Sequence, residues 1–178
     1  MEKSFVFAGF GGQGVILAGK LLAQAGVDYG LEVTWLPSYG PEMRGGTANC
    51  TVLLSDEPIG SPVVDNPTVL VAMNLPSLDR FEKIVAEAGI IVVNSSLITR
   101  PVGRNDVQAL SVPTNDIAVS LGNSQAANMV ALGAVIKATE VISLQLMKST
   151  MAKILSRKNS AKIVAVNEQA LDAGYNAV

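Results

Sequence analysis

Histidine is absent from this 178-residue chain, which removes the commonest general base and the commonest metal ligand. Cysteine occurs once, as Cys50. A single thiol closes no intrachain disulfide and cannot hold an iron–sulfur cluster, which takes about four thiolates. Aromatic residues make up only 4% of the chain, so Val, Ile, Leu, Ala and Met must fill the core. There is no basic excess: the net charge is -2 and the pI about 5.1, which excludes the usual footprint of a nucleic-acid or anionic-membrane binder. Apolar runs break off before the ~18–20 residues that a membrane span needs. The opening MEKSFVFAGF lacks the apolar h-region and cleavage site of a signal peptide, so the expected location is the cytoplasm. No Ser/His/Asp triad, paired-carboxylate motif or metal cluster is visible. Any electron carrier is therefore a bound cofactor or belongs to another chain.

What is present is aliphatic: 49% of residues are hydrophobic and the mean hydropathy is +0.37. The length suits one domain, residues 1–178, at roughly 100–200 residues per domain. Lys3–Ala8 reads as a buried strand and Val15–Ala25 as a helix, with Glu32–Leu36 and Thr47–Ser55 as further strands. Thr68–Met73 is a strand, and Pro76 then opens a helix over Ser77–Ala88 that Gly89 closes. Ile90–Val93 and Val107–Val112 are strands. Helices follow over Asn115–Gly122, Asn123–Ala138 (capped by Asn123 or Ser124), Ser143–Arg157 and Ala161–Gly174, with Ser143 and Ser160 as caps. Strands alternating with helices predict a three-layer α/β domain with a mostly parallel sheet and a glycine-rich first strand-to-helix loop. Cys50 and the methionines at 73, 129, 147 and 151 are expected in the core.

Two loops stand out. Gly9-Phe10-Gly11-Gly12-Gln13-Gly14 lies between the first strand and the first helix, where glycines let the backbone approach an anion and a helix N-terminus offers free N–H groups. Two readings stay open, a phosphate-bearing ligand and a tight strand-to-helix packing with no ligand. A dinucleotide is disfavoured, because the second strand ends in Trp35-Leu36-Pro37-Ser38 without the acid expected ~20 residues on. The second loop, Ser38-Tyr39-Gly40-Pro41-Glu42-Met43-Arg44-Gly45-Gly46, should lie beside the first at the carboxyl edge of the sheet. Arg44 can grip a phosphate or carboxylate with two parallel hydrogen bonds, or can pair with Glu42 in a structural loop. Asn74 and Ser77, and Asn94-Ser95-Ser96, end strands at the same expected edge, where helix capping explains them equally well.

These two motifs in this order, with Ala72-Met73-Asn74-Leu75-Pro76-Ser77 and Asn94-Ser95-Ser96-Leu97-Ile98, resemble the gamma subunit of 2-oxoacid:ferredoxin oxidoreductases. The resemblance is strongest from Phe5 to Ile98. It implies a subunit without catalysis of its own, in a complex that decarboxylates a 2-oxoacid with thiamine diphosphate, passes electrons through iron–sulfur clusters to ferredoxin and makes an acyl-CoA. It implies that these cofactors sit in alpha, beta and delta (ferredoxin-like) partners, and that the gamma domain helps shape the coenzyme A side. Gly11, Gly12, Gln13, Gly14 and Arg44 are the residues expected to face coenzyme A phosphates or partners. The run from Gly45 to Cys50 is similar to the 2-oxoglutarate or branched-chain type more than to the pyruvate type, and of these the resemblance favours 2-oxoglutarate as the expected substrate. The indolepyruvate enzyme fits the second loop less well. Three alternatives remain: a stand-alone NAD- or FAD-binding protein, a purely structural subunit of the same complex, and a homo-oligomer without partners. An isolated chain that dimerises through its exposed partner face is also compatible with the sequence.

Overall fold

The computed structural model describes residues 1–40 and 46–178. The strands are β1 (Glu2–Phe10), β2 (Glu32–Tyr39), β3 (Thr47–Ser55), β4 (Val69–Ala72), β5 (Ile90–Asn94) and β6 (Gln108–Val112). The helices are α1 (Val15–Tyr29), α2 (Leu75–Phe81), α3 (Thr114–Ser120), α4 (Ala127–Thr139), α5 (Leu144–Leu155) and α6 (Ala161–Asn176). They form one six-stranded sheet in the order β2-β3-β1-β4-β5-β6. β1 pairs in parallel with β4, β4 with β5 and β5 with β6. β3 runs antiparallel to both β1 and β2, so five strands point one way and β3 alone points back.

β1 is buried on both faces, as a continuous apolar run predicts for a central strand. Phe5 and Phe7 join one apolar cluster, Val6 and Ala8 the other. The larger cluster lies under α1 and α4. Its other strand residues include Ala48, Cys50, Val52 and Leu54 from β3 and Val71 and Met73 from the β4 side. The smaller lies under α2 and the turns near it, around Leu70, Leu78, Val85, Ile91 and Ile98. Helices on both faces give the expected three layers. α5 and α6 add an outer tier, packed on α1 and α4, which is why α4 is apolar and buried on nearly every side. Buried Thr150 on α5 donates to Asp28 of α1 at 2.8 Å, and Lys148 pairs with Asp172 of α6 at 2.8 Å. The side chains of Ser143 and Ser160 cap α5 and α6 as expected, accepting from Leu146 and Ile163 N–H.

Several boundaries differ from the sequence expectations; the helix expected over Asn123–Ala138, for one, begins as a 3-10 turn at Ser124–Ala126 capped by Asn123, and α4 proper starts at Ala127. α1 continues past Ala25 to Tyr29, where Gly30 closes it at φ 93°. β2 extends through Pro37 to Tyr39; a proline fits there because β2 is an edge strand with no neighbour on its outer side among the described residues. The helix expected over Ser77–Ala88 ends at Phe81, followed by one 3-10 turn. Val85 leaves helical geometry (ψ 136°) to bury its side chain in the smaller cluster. The buried Glu82 carboxylate there accepts from Gly103 N–H and pairs with Arg100 at 2.7 Å.

Candidate functional site

The chain leaves β1 for α1 on one face and leaves β4 for α2 on the opposite face. β1 and β4 are neighbours, so a topological switch point lies between their carboxyl ends, the usual ligand crevice of an open α/β sheet. The glycine loop occupies one side of it. Gln13 N–H returns to the Phe10 carbonyl at 3.1 Å, and Gly12 takes φ 96° within that turn, a conformation that favours glycine. Gly14 has φ 73°, and a Cβ there would collide with the Asn128 carboxamide. A Cβ on Gly12 would meet nothing within 4 Å. The loop is thus closed at Gly14 and open at Gly12.

Gly14 also opens α1 without a side-chain cap, and no acidic residue occupies the first turn. Neither a cap nor an acid of the first turn offsets the positive end of the helix, a setting that suits an anion. A cavity of about 490 Å³ adjoins it, lined among others by Gly11, Gly12, Lys20, Trp35 and Tyr39. Its size lies in the ~300–1,000 Å³ range of small-molecule sites. The buried Trp35 Nε1–H lies against the Cys50 thiol, short of ordinary hydrogen-bond geometry. Free backbone donors, a lysine and an open glycine suit a phosphate-bearing ligand with an apolar portion.

The described ends of the second loop lie beside the first. Gly11 N–H donates to the Gly46 carbonyl at 2.9 Å, and Gly40 N–H donates to the Thr47 carbonyl at 2.8 Å. Arg44, with Pro41, Glu42, Met43 and Gly45, lies outside the described residues. Gln13 is turned inward: its Oε1 accepts from Phe10 N–H at 2.7 Å and from Asn74 Nδ2 at 3.0 Å, and its Nε2 donates to the Met73 carbonyl at 3.1 Å. Asn74 also caps α2, accepting from Ser77 N–H at 2.9 Å.

Lys20 and Trp35 were not singled out from the sequence. For Lys20 a signal existed: it is the only cation of α1, spaced four residues from Ile16 on the same face. For Trp35 there was none, because its place depends on β3 lying between β1 and β2. Around this edge Phe10, Tyr39, Leu75 and Leu97 remain exposed, at 37%, 71%, 39% and 50%.

Cys50 is fully buried under α1, its Sγ 3.4 Å from the Val15 carbonyl oxygen, and burial pushes the thiol up to about 12. At pH 8, Ellman's reagent is therefore expected to leave the native chain unlabelled and to label its one thiol once guanidinium unfolds it. Rapid labelling of the native chain would contradict this packing. The sign for stability follows. The unfolded thiol loses its proton near 9.0 while the folded one holds it to about 12, so stability declines as pH rises through that window.

The described residues hold no group of three or more His, Cys, Asp or Glu side chains suited to a metal ion, and no helix among them is long and apolar enough to cross a membrane. The family model for pyruvate ferredoxin/flavodoxin oxidoreductase matches residues 4–177. A ketoisovalerate oxidoreductase subunit VorA of Methanothermobacter thermautotrophicus is 44% identical over 97% of this chain, which spans 36% of that relative. A 2-oxoglutarate synthase subunit KorC of Methanocaldococcus jannaschii is 34% identical over 98% of this chain and 93% of its own length. Among solved structures, the 2-oxoglutarate:ferredoxin oxidoreductase of Magnetococcus marinus, with 2-oxoglutarate, coenzyme A and succinyl-CoA bound, superposes with a TM-score of 0.90 at 26% identity. It covers 99% of this chain, which spans 31% of that longer chain.

Proposed function

This chain belongs to the pyruvate ferredoxin/flavodoxin oxidoreductase family, and on that footing we propose that it is the gamma-type subunit of a cytoplasmic 2-oxoacid:ferredoxin oxidoreductase, a single domain that works only within its complex. Thiamine diphosphate and iron–sulfur clusters, held by alpha, beta and delta partners, supply the decarboxylation and electron transfer. With one buried cysteine and no histidine, this chain is unfit to hold a cluster. Its own part is to bind and orient coenzyme A.

The observation that carries this reading is the open glycine loop at the switch point, beside an uncapped helix and a cavity of about 490 Å³. Backbone N–H groups at Gly12 and Gly14 receive a phosphate, Gly11 lines the cavity while its own N–H is held by the Gly46 carbonyl, Lys20 offsets the charge, and Trp35 and Tyr39 flank the remainder. Gln13 contributes by shaping the loop. Arg44 supplies a two-pronged contact, on the chemistry of its guanidinium. The exposed apolar side chains at this edge, Phe10, Tyr39, Leu75 and Leu97, suit a face covered by a partner subunit.

The proposed substrate is 2-oxoglutarate, supported by the relative of matching length. The higher identity to a ketoisovalerate subunit favours a branched-chain 2-oxoacid as a second reading. The test is anaerobic affinity purification of the tagged chain from its own cells, mass-spectrometric identification of its companions, and ferredoxin reduction by the recovered complex with each oxoacid. Recovery with a thiamine-binding chain and a cysteine-rich ferredoxin-like chain is expected. Recovery alone, carrying a bound dinucleotide, would overturn the reading.

A further inference from the structure

The amide contacts of Gln13 continue across the sheet edge. The Met73 carbonyl oxygen accepts two N–H groups, one from Gln13 Nε2 and one from Asn94 Nδ2, each at 3.1 Å. Both of its lone pairs are filled. Asn94 Nδ2 also donates to Asn115 Oδ1 at 2.7 Å, and Asn94 Oδ1 accepts from Ser96 N–H at 3.3 Å. Four carboxamides, from the ends of β1, β4 and β5 and the start of α3, thus make one row across the switch point. Asn94 is only 1% exposed. The strand before it, Ile90–Val93, is wholly apolar, and an apolar side chain would continue it. A primary amide persists at such depth where its hydrogen-bonding groups are used, and those of Asn94 are used towards β4 and α3.

We propose that Asn94 is a positioning residue for the glycine loop. It holds the Met73 carbonyl from one side while Gln13 holds it from the other. Gln13 in turn accepts the Phe10 N–H at the start of the glycine turn, which aims Gly11 and Gly12 at the cavity. Without Asn94, the Met73 carbonyl swings towards Gln13 or solvent, and the Gln13 carboxamide no longer has one fixed orientation. Asn94 lines no part of the cavity and acts through the row alone. The positioning role stands on these contacts, while its effect on catalysis rests on the coenzyme reading above.

Hydrogen exchange on the full-length chain tests it without any ligand. In Asn94→Ala, amides of residues 10–14 are expected to exchange about fivefold faster, the worth of one net hydrogen bond, while those of α5 stay as in the wild type. If Asn94→Ala speeds exchange throughout, Asn115→Ala replaces it. That half-buried change removes only the far acceptor, and the same loop-specific acceleration is expected. Loop exchange equal to wild type in the variant that leaves α5 unchanged overturns the proposal.

In the assembled complex, Asn94→Ala is expected to raise the coenzyme A KM about fivefold with kcat unchanged, and Gln13→Ala/Asn94→Ala to do no worse than Gln13→Ala alone. A fully additive double variant overturns the proposal as well. A loop that loosens while KM stays fixed upholds Asn94's role and overturns the coenzyme reading instead.

Discussion

Alanine at position 174 is expected to destabilise the folded chain by about 3 kcal/mol and to lower its thermal midpoint by roughly 6–12 °C, as overpacking does in a domain of this size. α4 and α6 cross backbone against backbone. A Cβ on Gly174 would overlap the Val130 carbonyl oxygen and come within 2.9 Å of Val130 Cα. On the facing helix, a Cβ on Gly133 would overlap the Leu171 carbonyl and come within 2.9 Å of Tyr175 N. In both cases the obstacle is main chain, which cannot turn aside as a side-chain tip can. Neither glycine has a positive φ, so alanine costs nothing in backbone strain and should gain ~1 kcal/mol of helix propensity. The predicted sign therefore depends wholly on the closeness of the two helices. Gly60→Ala, where a Cβ would meet nothing within 4 Å, is the matched control and should leave the midpoint within about 2 °C, as surface changes usually do. Calorimetry on the three chains decides it: Gly174→Ala melting at or above the wild-type temperature would mean that the helices separate freely.

Arg44→Ala is expected to raise the coenzyme A KM of the assembled complex about 10- to 150-fold, since hydrogen bonds to charged groups are worth ~1.5–3 kcal/mol. The chain on one side of Arg44 is tied to the glycine loop through Gly11 N–H and the Gly46 carbonyl, two residues away in sequence. Arg44→Lys keeps the charge and loses the planar fork, so its KM should fall between the two. The competing role, a subunit that touches no ligand, predicts an unchanged KM and a smaller yield of complex on gel filtration. Measuring KM and assembly on the same preparations separates the two.

Much of the fold was legible because its signals are local. The βα alternation, the caps at Ser143 and Ser160, the apolar run of β1 and the strand–loop–helix setting of the glycines each depend on residues near in sequence. What was not legible depends on partners distant in sequence. Nothing in Thr47–Ser55 says that it reverses and inserts between β1 and β2. Pro37 reads as a loop residue, yet an edge strand accommodates it. The early end of α2 is set by where Val85 finds its cluster and where Glu82 finds Arg100. The site followed the same division. Gly11, Gly12 and Gly14 could be placed from the motif, whereas the inward turn of Gln13 needed Met73 and Asn74 in space, and the cavity wall from Trp35 needed the β3 insertion.

That insertion also constrains how the chain can reach its native state. β1 and β2 share no hydrogen bonds; both are zipped to β3, and Ser55 faces Glu2 on one side and Glu32 on the other. Until β3 is available, β2 lacks its described strand neighbour and β1 lacks one of its two, and α1 has no completed surface to lie on. β2 and β3 are consecutive and pair across a short connection, whereas β3 reaches β1 only over α1 and β2, the kind of non-local pairing that slows folding. A nascent chain on the ribosome would carry its glycine loop exposed through that interval, because the Gly46 carbonyl that holds Gly11 N–H arrives only with the reversed strand.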